Sequence, residues 1–347
     1  VRMVSFKGDK GFMYKANLSL RTALKVLKPI YSFRANNEQA LYKGISGVNW
    51  SKLLNANQTF VIDATVHSTY FNHSEFVSQK CKDAIVDQFR ERTGQRPSID
   101  KAFPDLRINV HIDKDQVSVA LDTSGNSLHQ RGYRTATNIA PINEVLAAGI
   151  LLLSGWEGQS HFLDPMCGSG TFLAEAAMIA CNITANINRK EFAFEKWKDW
   201  DNDLFDQIVN SLMKKTKEFH YTIKGFDKAP SAVQKAKDNI KNANLEDYVT
   251  ISEDNFFDTE KAVEGKLHMV FNPPYDERLD IHMEEFYKNI GDTLKKSYPG
   301  TNAWFITANL EALKFVGLKP SRKIKLFNAS LEARLVKYEM YEGSKRT

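Results

Sequence analysis

The tetrapeptide Asn272-Pro273-Pro274-Tyr275 follows the apolar run Leu267 to Phe271 and points directly to a chemistry. The lone pair of an exocyclic amino group is delocalised into its ring, so this nitrogen is a poor nucleophile. Acceptors aimed at its two N–H bonds favour the geometry in which it attacks a sulfonium methyl group, and they stabilise the developing charge. The Asn272 side chain and the next backbone carbonyl, held by two prolines, could supply these acceptors, and Tyr275 could stack on a base. The tetrapeptide predicts methyl transfer onto a planar nitrogen.

A glycine-containing turn follows an earlier predicted strand. That strand ends at Asp164, and Gly168 and Gly170 lie between it and a predicted helix from Thr171 to Cys181. Two glycines allow the backbone to approach a ligand closely, and the first N–H groups of a helix attract negative charge. By itself this pattern is also typical of an ordinary tight strand-to-helix turn.

Two acidic residues follow the next two predicted strands. Asp227 ends one strand and could accept both hydroxyls of a ribose, although it could equally cap the helix that Pro230 begins. Asp254 follows the other strand and could accept an adenine amino group, or it could be an ordinary surface residue. The order is more informative than any single residue, because a glycine turn, two acids and the Asn-Pro-Pro-Tyr segment follow four successive strands. We expect all four to lie at one edge of one sheet.

The segment from Pro141 onward has the pattern of an α/β domain. Predicted helices and strands alternate, which indicates a mostly parallel sheet with right-handed crossovers and a ligand site at the carboxyl ends of its strands. A terminal hairpin that turns at Asn328-Ala329-Ser330 would add an antiparallel edge. The predicted helices are 142–154, 171–181, 230–243, 259–264 and 281–298, and the predicted strands after Asp164 are 221–226, 248–252, 267–271, 303–307, 323–327 and 331–340.

The amino-terminal part, residues 1–122, mixes short strands with helices. We predict strands at 59–67, 106–111 and 116–121 and a helix at 74–92 that Gly94 ends. Val1 to Phe6 is typical of a strand already under way, and we infer that an amino-terminal segment precedes it. Residues 123–140, rich in Ser, Gly, Asn and Thr, are the predicted linker to the domain at 141–347. Basic residues are frequent between positions 80 and 107, which indicates either a phosphate-binding surface or a solvated helix face.

Composition limits the class of protein. The chain has 347 residues, 42% of them hydrophobic, a mean hydropathy of −0.41, a net charge of +5 and a pI near 8.8. These values permit nucleic acid as a partner. The longest apolar run, Val145 to Leu153, is too short for a bilayer span and is typical of a buried helix. The three cysteines have no metal-like spacing, so we expect a reduced cytoplasmic protein with no metal and no membrane partner.

Nearly the whole chain resembles the THUMP-domain guanine-N2 methyltransferases that modify bacterial 23S ribosomal RNA, in their stand-alone form. The most specific segments are His129-Gln130-Arg131-Gly132-Tyr133-Arg134 and Phe194-Glu195-Lys196-Trp197. The other matching segments are 41–44, 48–50, 77–93, 107–111, 164–171, 272–279 and 326–328.

This resemblance implies the fold, the cofactor and the roles of individual residues. It implies a Rossmann-like methyltransferase domain with a seven-stranded sheet, preceded by an α+β domain that contains THUMP and part of a ferredoxin-like region. Asn272, Pro273, Pro274 and Tyr275 would form the catalytic segment. Residues implied to hold S-adenosylmethionine are Asp164, Pro165, Met166, Cys167, Gly168, Ser169, Gly170, Thr171, Asp227, Asp254, Asn255 and Asn272. Residues expected at the RNA are Lys80, Lys82, Arg90, Arg131 and Arg134, although Arg131 and Arg134 could instead bridge the two domains.

Other functions stay open at this stage. The partner would be 23S ribosomal RNA or a large-subunit precursor. A DNA adenine-N6 methyltransferase would use the same acceptors, a protein-glutamine methyltransferase also uses them, and a non-catalytic RNA-binding assembly factor could retain the scaffold.

One region departs from a simple methyltransferase pattern. Far more residues separate Gly170 from Asp227 than the about twenty expected between a glycine turn and its acid. Residues 182–220 should therefore form an insertion. Its aromatic residues Phe192, Phe194, Trp197 and Trp200 are expected to pack it onto the body of the methyltransferase domain, or else to form a wall of the substrate cleft.

Overall fold

The chain folds into two sheets that belong to two separate compact units. The computed structural model describes residues 3–134, 142–274 and 282–342. The amino-terminal unit contains the residues up to Leu18, then Ala23–Leu128 and Lys190–Asn210. The carboxyl-terminal unit contains Ser19–Thr22, His129–Arg189 and the chain from Ser211 onward. The predicted boundaries, at 122 and 141, are simpler than this division.

A five-stranded mixed sheet forms the centre of the amino-terminal unit, with strand order β1-β5-β4-β2-β3. Strand β2 is parallel to β3 and β4, whereas β5 is antiparallel to β4 and β1. The elements are α1 Lys10–Ser19, β1 Leu27–Arg34, α2 Glu38–Ser46, β2 Thr59–His67, α3 Ser74–Thr93, β3 Ser98–Ile99, β4 Leu106–Asp113 and β5 Gln116–Asp122.

Helix α3 and the strands β2, β4 and β5 follow their sequence patterns. The helix buries Val77, Cys81, Ile85 and Phe89 at a helical spacing, and it ends where Gly94 adopts a φ of 71°. The predicted helix and the three predicted strands are therefore confirmed. The predicted strand at the amino end is wrong over its described part, since residues 3–9 form no regular element. Its apolar side chains are exposed and its backbone pairs with no described strand.

Seven strands form the sheet of the carboxyl-terminal unit, in the order β11-β12-β10-β9-β6-β7-β8. The five neighbouring strands β10, β9, β6, β7 and β8 are parallel to one another. Strand β12 is antiparallel to both β10 and β11. The elements are α4 Glu144–Leu153, β6 His161–Asp164, α5 Thr171–Ala180, α6 Asn202–Met213 (which begins in the other unit), β7 Ile223–Asp227, α7 Pro230–Asn242, β8 Val249–Glu253, β9 Leu267–Phe271, α8 Met283–Ser297, β10 Thr301–Thr307, β11 Arg322–Asn328 and β12 Leu331–Glu339. The predicted Rossmann-like sheet with its terminal antiparallel hairpin is confirmed.

Each face of this sheet carries its own hydrophobic core. Alternate residues of the strands pack against α4, α5 and α7 on one face and against α8 on the other. No described helix in the chain is long and apolar enough to cross a bilayer. The helix predicted at 259–264 is wrong, because these residues form no regular element and only a single 3₁₀ turn, Phe256–Asp258, lies directly before them. One turn of helix before a glycine with positive φ, Gly265, is too short to be stable.

The aromatic residues of the insertion belong to the amino-terminal unit. Phe194 packs on Tyr14 of α1 with ring centroids 4.6 Å apart, and Trp200 lies 5.2 Å from the same ring. Residues 190–210 are part of that unit. The prediction that these aromatics pack onto the methyltransferase domain is wrong, because the apolar surface that covers them comes from α1, a helix not predicted from the sequence.

The predicted linker is partly a buried segment of the amino-terminal unit. Thr123 and Ser124 are buried. The Thr123 hydroxyl donates to the Val26 carbonyl at 2.7 Å and accepts from the Asn17 amide at 2.7 Å. Polar composition here satisfies buried hydrogen bonds, so it does not indicate a solvated linker over these residues.

Candidate active site

Four adjacent strands place the predicted polar residues along one edge of the seven-stranded sheet. Asp164 is the last residue of β6 and Asp227 the last of β7, while Asp254 and Asn272 directly follow β8 and β9. These strands are neighbours in the order β9-β6-β7-β8 and are all parallel, so their carboxyl ends lie side by side. The predicted arrangement at one edge is confirmed, and the edge is where open α/β sheets bind their ligands.

The glycine turn between β6 and α5 is tied to the neighbouring strand. Gly168 and Gly170 have φ values of 53° and 81°, a region that favours glycine. The Cys167 N–H donates to the Phe226 carbonyl of β7 at 3.0 Å. A Cβ at Gly170 would lie 3.2 Å from the Ala236 side chain of α7, so the turn packs closely there. The backbone is thereby held where helical N–H groups face the sheet edge.

Asp164 is a buried carboxyl group with few partners. Its Oδ1 accepts from the Met166 N–H at 3.2 Å, and its side chain is inaccessible to solvent. Burial raises the pKa of Asp164 well above its ordinary value, and the nearby Asp227 raises it further. A cationic group at this position would favour the ionised form. The ammonium of an amino-acid moiety has that chemistry, so the site fits the methionine part of S-adenosylmethionine.

Asp227 accepts from two backbone groups. Its Oδ2 accepts from the Gly168 N–H at 3.0 Å, and its Oδ1 accepts from the Ala229 N–H at 3.0 Å, immediately before α7. The carboxylate therefore stabilises both the glycine turn and the start of the next helix. Since a carboxylate has about four lone-pair positions, it retains capacity for ribose hydroxyls. The two alternatives considered for Asp227 are compatible.

Asp254 and Asn255 differ in how many hydrogen bonds their side chains make within the turn that follows β8. Ser252 donates to Asp254 Oδ2 at 2.5 Å, and the Asp254 N–H donates to the Asp227 carbonyl at 3.2 Å. Asn255 accepts from the Phe257 N–H and donates its amide to Asp258 at 2.6 Å. Asp254 lies next to Asp227 with one side-chain oxygen engaged, whereas both groups of Asn255 stabilise the local turn. The structure thus favours Asp254 over Asn255 as a ligand residue.

The Asn272-Pro273-Pro274 segment extends from the fully buried strand β9. Pro273 is buried, and Asn272 and Pro274 are half-buried. Within the described ranges, no group hydrogen-bonds the Asn272 side chain. At the carboxyl end of β9, this amide therefore has no described partner that a ligand would have to displace. Tyr275, the predicted stacking residue, lies outside the described residues.

Three of the predicted RNA-binding residues lie on α3 of the amino-terminal unit, and each is ion-paired. Lys80 pairs with Glu38, Lys82 with Asp83 at 2.8 Å and Arg90 with Asp87 at 3.4 Å. They line a surface groove of about 640 Å³ together with Tyr42, Val86, Arg96, Pro97, Ser98 and Ile99. Basic side chains outnumber the acidic ones in this lining. Exposed ion pairs are weak, so phosphate groups can compete for these cations.

Arg131 is a correction to the predicted RNA-binding set. Its guanidinium is fully buried and pairs with the equally buried Glu175, Nε to Oε1 3.1 Å. It also donates to Asn186 at 3.0 Å and to the Arg21 carbonyl at 2.6 Å. Burial raises the pKa of Glu175, and Arg131 opposes that rise. Because moving this group to a phosphate would leave Glu175 charged and buried, a phosphate contact at Arg131 does not fit the structure.

Arg134 lies beside the glycine turn. It donates to Thr171 Oγ1 at 2.7 Å and to the Ile142 carbonyl at 3.2 Å, and it pairs with the buried Glu144 at 3.0 Å. All three partners belong to the carboxyl-terminal unit. We interpret Arg134 as a residue that positions the start of α5, a role that neither sequence alternative included.

The sequence interpretation missed Glu175 and Glu144. Glu175 is the single charged residue of the apolar helix α5, Thr171–Ala180, and Glu144 begins the equally apolar α4. An acidic residue within an apolar helix is costly unless it is paired, and this was the available signal.

Comparisons with known proteins agree with this geometry. A family described as "RMKL-like, methyltransferase domain" matches residues 131–337, and the THUMP domain family matches residues 35–122. A protein of Synechocystis sp. that carries the name of an RNA methyltransferase is 36% identical over 97% of this chain and 88% of its own length. The ribosomal RNA large subunit methyltransferase K/L of Syntrophotalea carbinolica is 35% identical over 97% of this chain, and this chain covers 49% of that protein. The chain thus spans about half the length of that relative.

The solved structures give the same fold. The structure of the methyltransferase SMU.472, complexed with SAH, has a TM-score of 0.85 and 30% sequence identity, and the match covers 97% of this chain and 89% of that one. SAH is the demethylated product of S-adenosylmethionine. The chain therefore has the fold of S-adenosylmethionine-dependent methyltransferases.

Proposed function

The chain belongs to the family of RMKL-like methyltransferases with a THUMP domain, and on that premise we propose that it methylates the N2 amino group of a guanine in 23S ribosomal RNA. The observation that carries the proposal is the sheet edge, where Asp164, Asp227 and Asn272 lie at the carboxyl ends of three neighbouring parallel strands. S-adenosylmethionine, when bound, supplies a methyl group on a positively charged sulfur.

In this proposal the acidic residues of the sheet edge bind the cofactor, and the uncharged Asn272 binds the substrate amine. Asp164 and Asp227 provide negative charge for the cationic and ribose parts of the cofactor, and the glycine turn admits it closely. In this proposal Asn272 presents a side-chain oxygen at the end of β9, and the next backbone carbonyl, held by Pro273 and Pro274, is the second acceptor. These two oxygens accept from the two N–H bonds of the substrate amine. Their pull on the amine is stronger as the nitrogen becomes tetrahedral, so the contact lowers the barrier and does more than bind.

In this proposal the amino-terminal unit binds the RNA substrate. The groove beside α3 carries Lys80, Lys82, Arg90 and Arg96. Phosphate contacts from such side chains give affinity without base specificity. Support for RNA over DNA comes from the THUMP match and from the names of the relatives.

The decisive experiment identifies the product. The purified protein is incubated with labelled S-adenosylmethionine and, separately, with ribosomal RNA, large-subunit precursor and duplex DNA, and the modified nucleoside is identified by mass spectrometry. N2-methylguanosine in 23S RNA is expected. N6-methyladenine in DNA would replace the proposal with the adenine alternative, and cofactor binding without any methylated product would support an assembly factor. Mapping the 23S RNA of a strain that lacks the gene would then locate the nucleotide.

A further inference from the structure

The terminal hairpin reaches the same edge of the sheet as the candidate active site. Arg334 of β12 pairs with Thr307, the last residue of β10, so the residues before Arg334 extend past the end of β10. Strand β10 is in turn parallel to β9, with Phe305 opposite Phe271. We call Phe327–Leu331 the hairpin tip. It stands beyond the carboxyl ends of the strands, in the same sheet as Asn272 and separated from β9 by β10 and β12.

Large apolar side chains are exposed at both ends of the hairpin tip. Phe327 is 56% exposed and Leu331 is 54% exposed. The adjacent residue Leu326 lies on the other face of β11, where it packs against the core together with its cross-strand partner Ala333. An exposed aromatic ring offers a flat surface on which a nucleic-acid base can stack.

The face of the hairpin that carries Phe327 is positively charged. Lys323, Lys325 and Phe327 alternate along β11, and the residues opposite Lys325 and Phe327 are Arg334 and Glu332. Glu332 pairs with both Lys325 and Arg334, and the Lys325 ammonium lies 5.4 Å from the centre of the Phe327 ring. Three basic groups and one acidic group share this face. An aromatic ring among cations suits a ligand that has both a planar base and a phosphate.

The turn itself is strained at one residue. Ala329 has a φ of 55°, a conformation that is unfavourable for alanine and favourable for glycine. Among the residues that the structure describes, three other non-glycine residues have a positive φ, namely Lys114, Asn182 and Asn244, and asparagine tolerates this region. Strained backbone is retained where surrounding structure or function requires it.

We infer that the hairpin tip binds the RNA nucleotides next to the target base, with the Phe327 ring stacked on an unpaired base and with Lys325 and Arg334 beside its phosphates. The inference rests on the proposed function, because it assigns a second surface for the same RNA. A base must leave its helix to reach Asn272. That movement unstacks its neighbours, and an aromatic ring at the same edge replaces the lost stacking.

The test compares two exposed aromatic residues at opposite edges of one sheet. Phe327→Ala removes the proposed stacking ring. Tyr221→Ala is the matched control, since Tyr221 is 45% exposed but precedes β7 at the amino edge. We measure kcat and KM for an RNA fragment that the parent methylates, and cofactor affinity by calorimetry. Loss of one stacked base corresponds to roughly a tenfold fall in kcat/KM, mainly through KM.

Three results support the inference together. Phe327→Ala loses kcat/KM for RNA, Phe327→Tyr retains it, and Tyr221→Ala and all cofactor affinities match the parent. A parent that methylates RNA while Phe327→Ala keeps the parental kcat/KM overturns this inference alone. A result in which Phe327→Leu works as well as Phe327→Tyr overturns it too, because stacking requires a ring. A parent that methylates no RNA overturns the proposed function, and the inference with it.

Discussion

Arg134 donates a 2.7 Å hydrogen bond from Nη2 to Oγ1 of Thr171, the first residue of the helix that follows the glycine turn. The bond links a residue of the His-Gln-Arg-Gly-Tyr-Arg segment to the cofactor site. Arg134 also pairs with Glu144. Burial raises the pKa of Glu144, and the positive charge of Arg134 opposes this rise. The two sequence segments 129–134 and 164–171, which each resemble the family, are therefore in direct contact.

Thr171→Val should weaken cofactor binding through this link. Valine keeps the volume of threonine but removes the acceptor, which leaves a donor of Arg134 without its partner in a part-buried setting. We expect the free energy of unfolding to fall by about 1–3 kcal/mol and the cofactor Kd to rise severalfold. Urea denaturation and calorimetry measure the two effects. Thr293→Val on α8, also buried, is the control and should leave cofactor affinity unchanged. Parental cofactor affinity in Thr171→Val would show that Arg134 does not position the turn.

Asp227→Ala should cost about 1.5–3 kcal/mol of S-adenosylmethionine affinity, the range for hydrogen bonds to a charged group. The alanine also releases the Gly168 and Ala229 N–H groups, so the isosteric Asp227→Asn is the more informative variant. It keeps one acceptor and loses the charge. Calorimetry on both variants separates the direct contact from the support of the turn. Unchanged affinity in both would remove Asp227 from the cofactor site.

Asn272→Ala should separate chemistry from binding. The lost acceptor matters most as the amine becomes tetrahedral, so turnover should fall about a hundredfold or more while cofactor and RNA affinities persist. Single-turnover rates and filter binding measure these quantities. Asn272→Asp keeps an acceptor of similar size and should retain part of the activity. A parental rate in Asn272→Ala would place the catalytic site elsewhere.

Replacing Lys80, Lys82 and Arg90 with glutamine tests the groove of the amino-terminal unit. If these side chains contact phosphates, the slope of log affinity against log salt should become shallower by about 0.7–0.9 for each lost contact. Cofactor affinity should not change, because the three residues lie in the other unit. A salt slope equal to that of the parent would mean that the cluster is a solvated helix face.

Arg131→Met should destabilise the carboxyl-terminal unit without a specific effect on RNA affinity. The change leaves Glu175 buried without its cation, which typically costs about 3–5 kcal/mol. Adding Glu175→Leu should restore most of the stability, since two apolar side chains can replace a buried ion pair. Thermal unfolding of the single and double variants measures this coupling. A double variant no more stable than Arg131→Met, or an RNA affinity that falls in proportion to lost charge, would contradict the interpretation.

The sequence determined the elements whose residues carry a regular pattern. Helix α3 follows a 3.6-residue period that Gly94 ends, and β2 follows the alternation of a strand. The four polar residues Asp164, Asp227, Asp254 and Asn272 were also visible in the sequence, because each one ends a predicted strand or comes shortly after it. Their assembly at one edge needed only the rule that parallel strands share a direction. Helices α1, α2 and α6 and strands β1 and β3 were not predicted from the sequence; of these, α1 has no clear helical period and β1 has no clear alternation.

Only the tertiary structure decided the partners of individual side chains. Arg131 looks like a phosphate ligand in the sequence, but Glu175 neutralises it in the core. The aromatics of the insertion pack on Tyr14, a residue far away in the chain, and the hairpin tip reaches the active edge because β12 pairs with β10. Helical and strand periodicity is a local property, so a sequence displays it. Pairing between distant residues depends on how whole elements pack, and no local pattern encodes it.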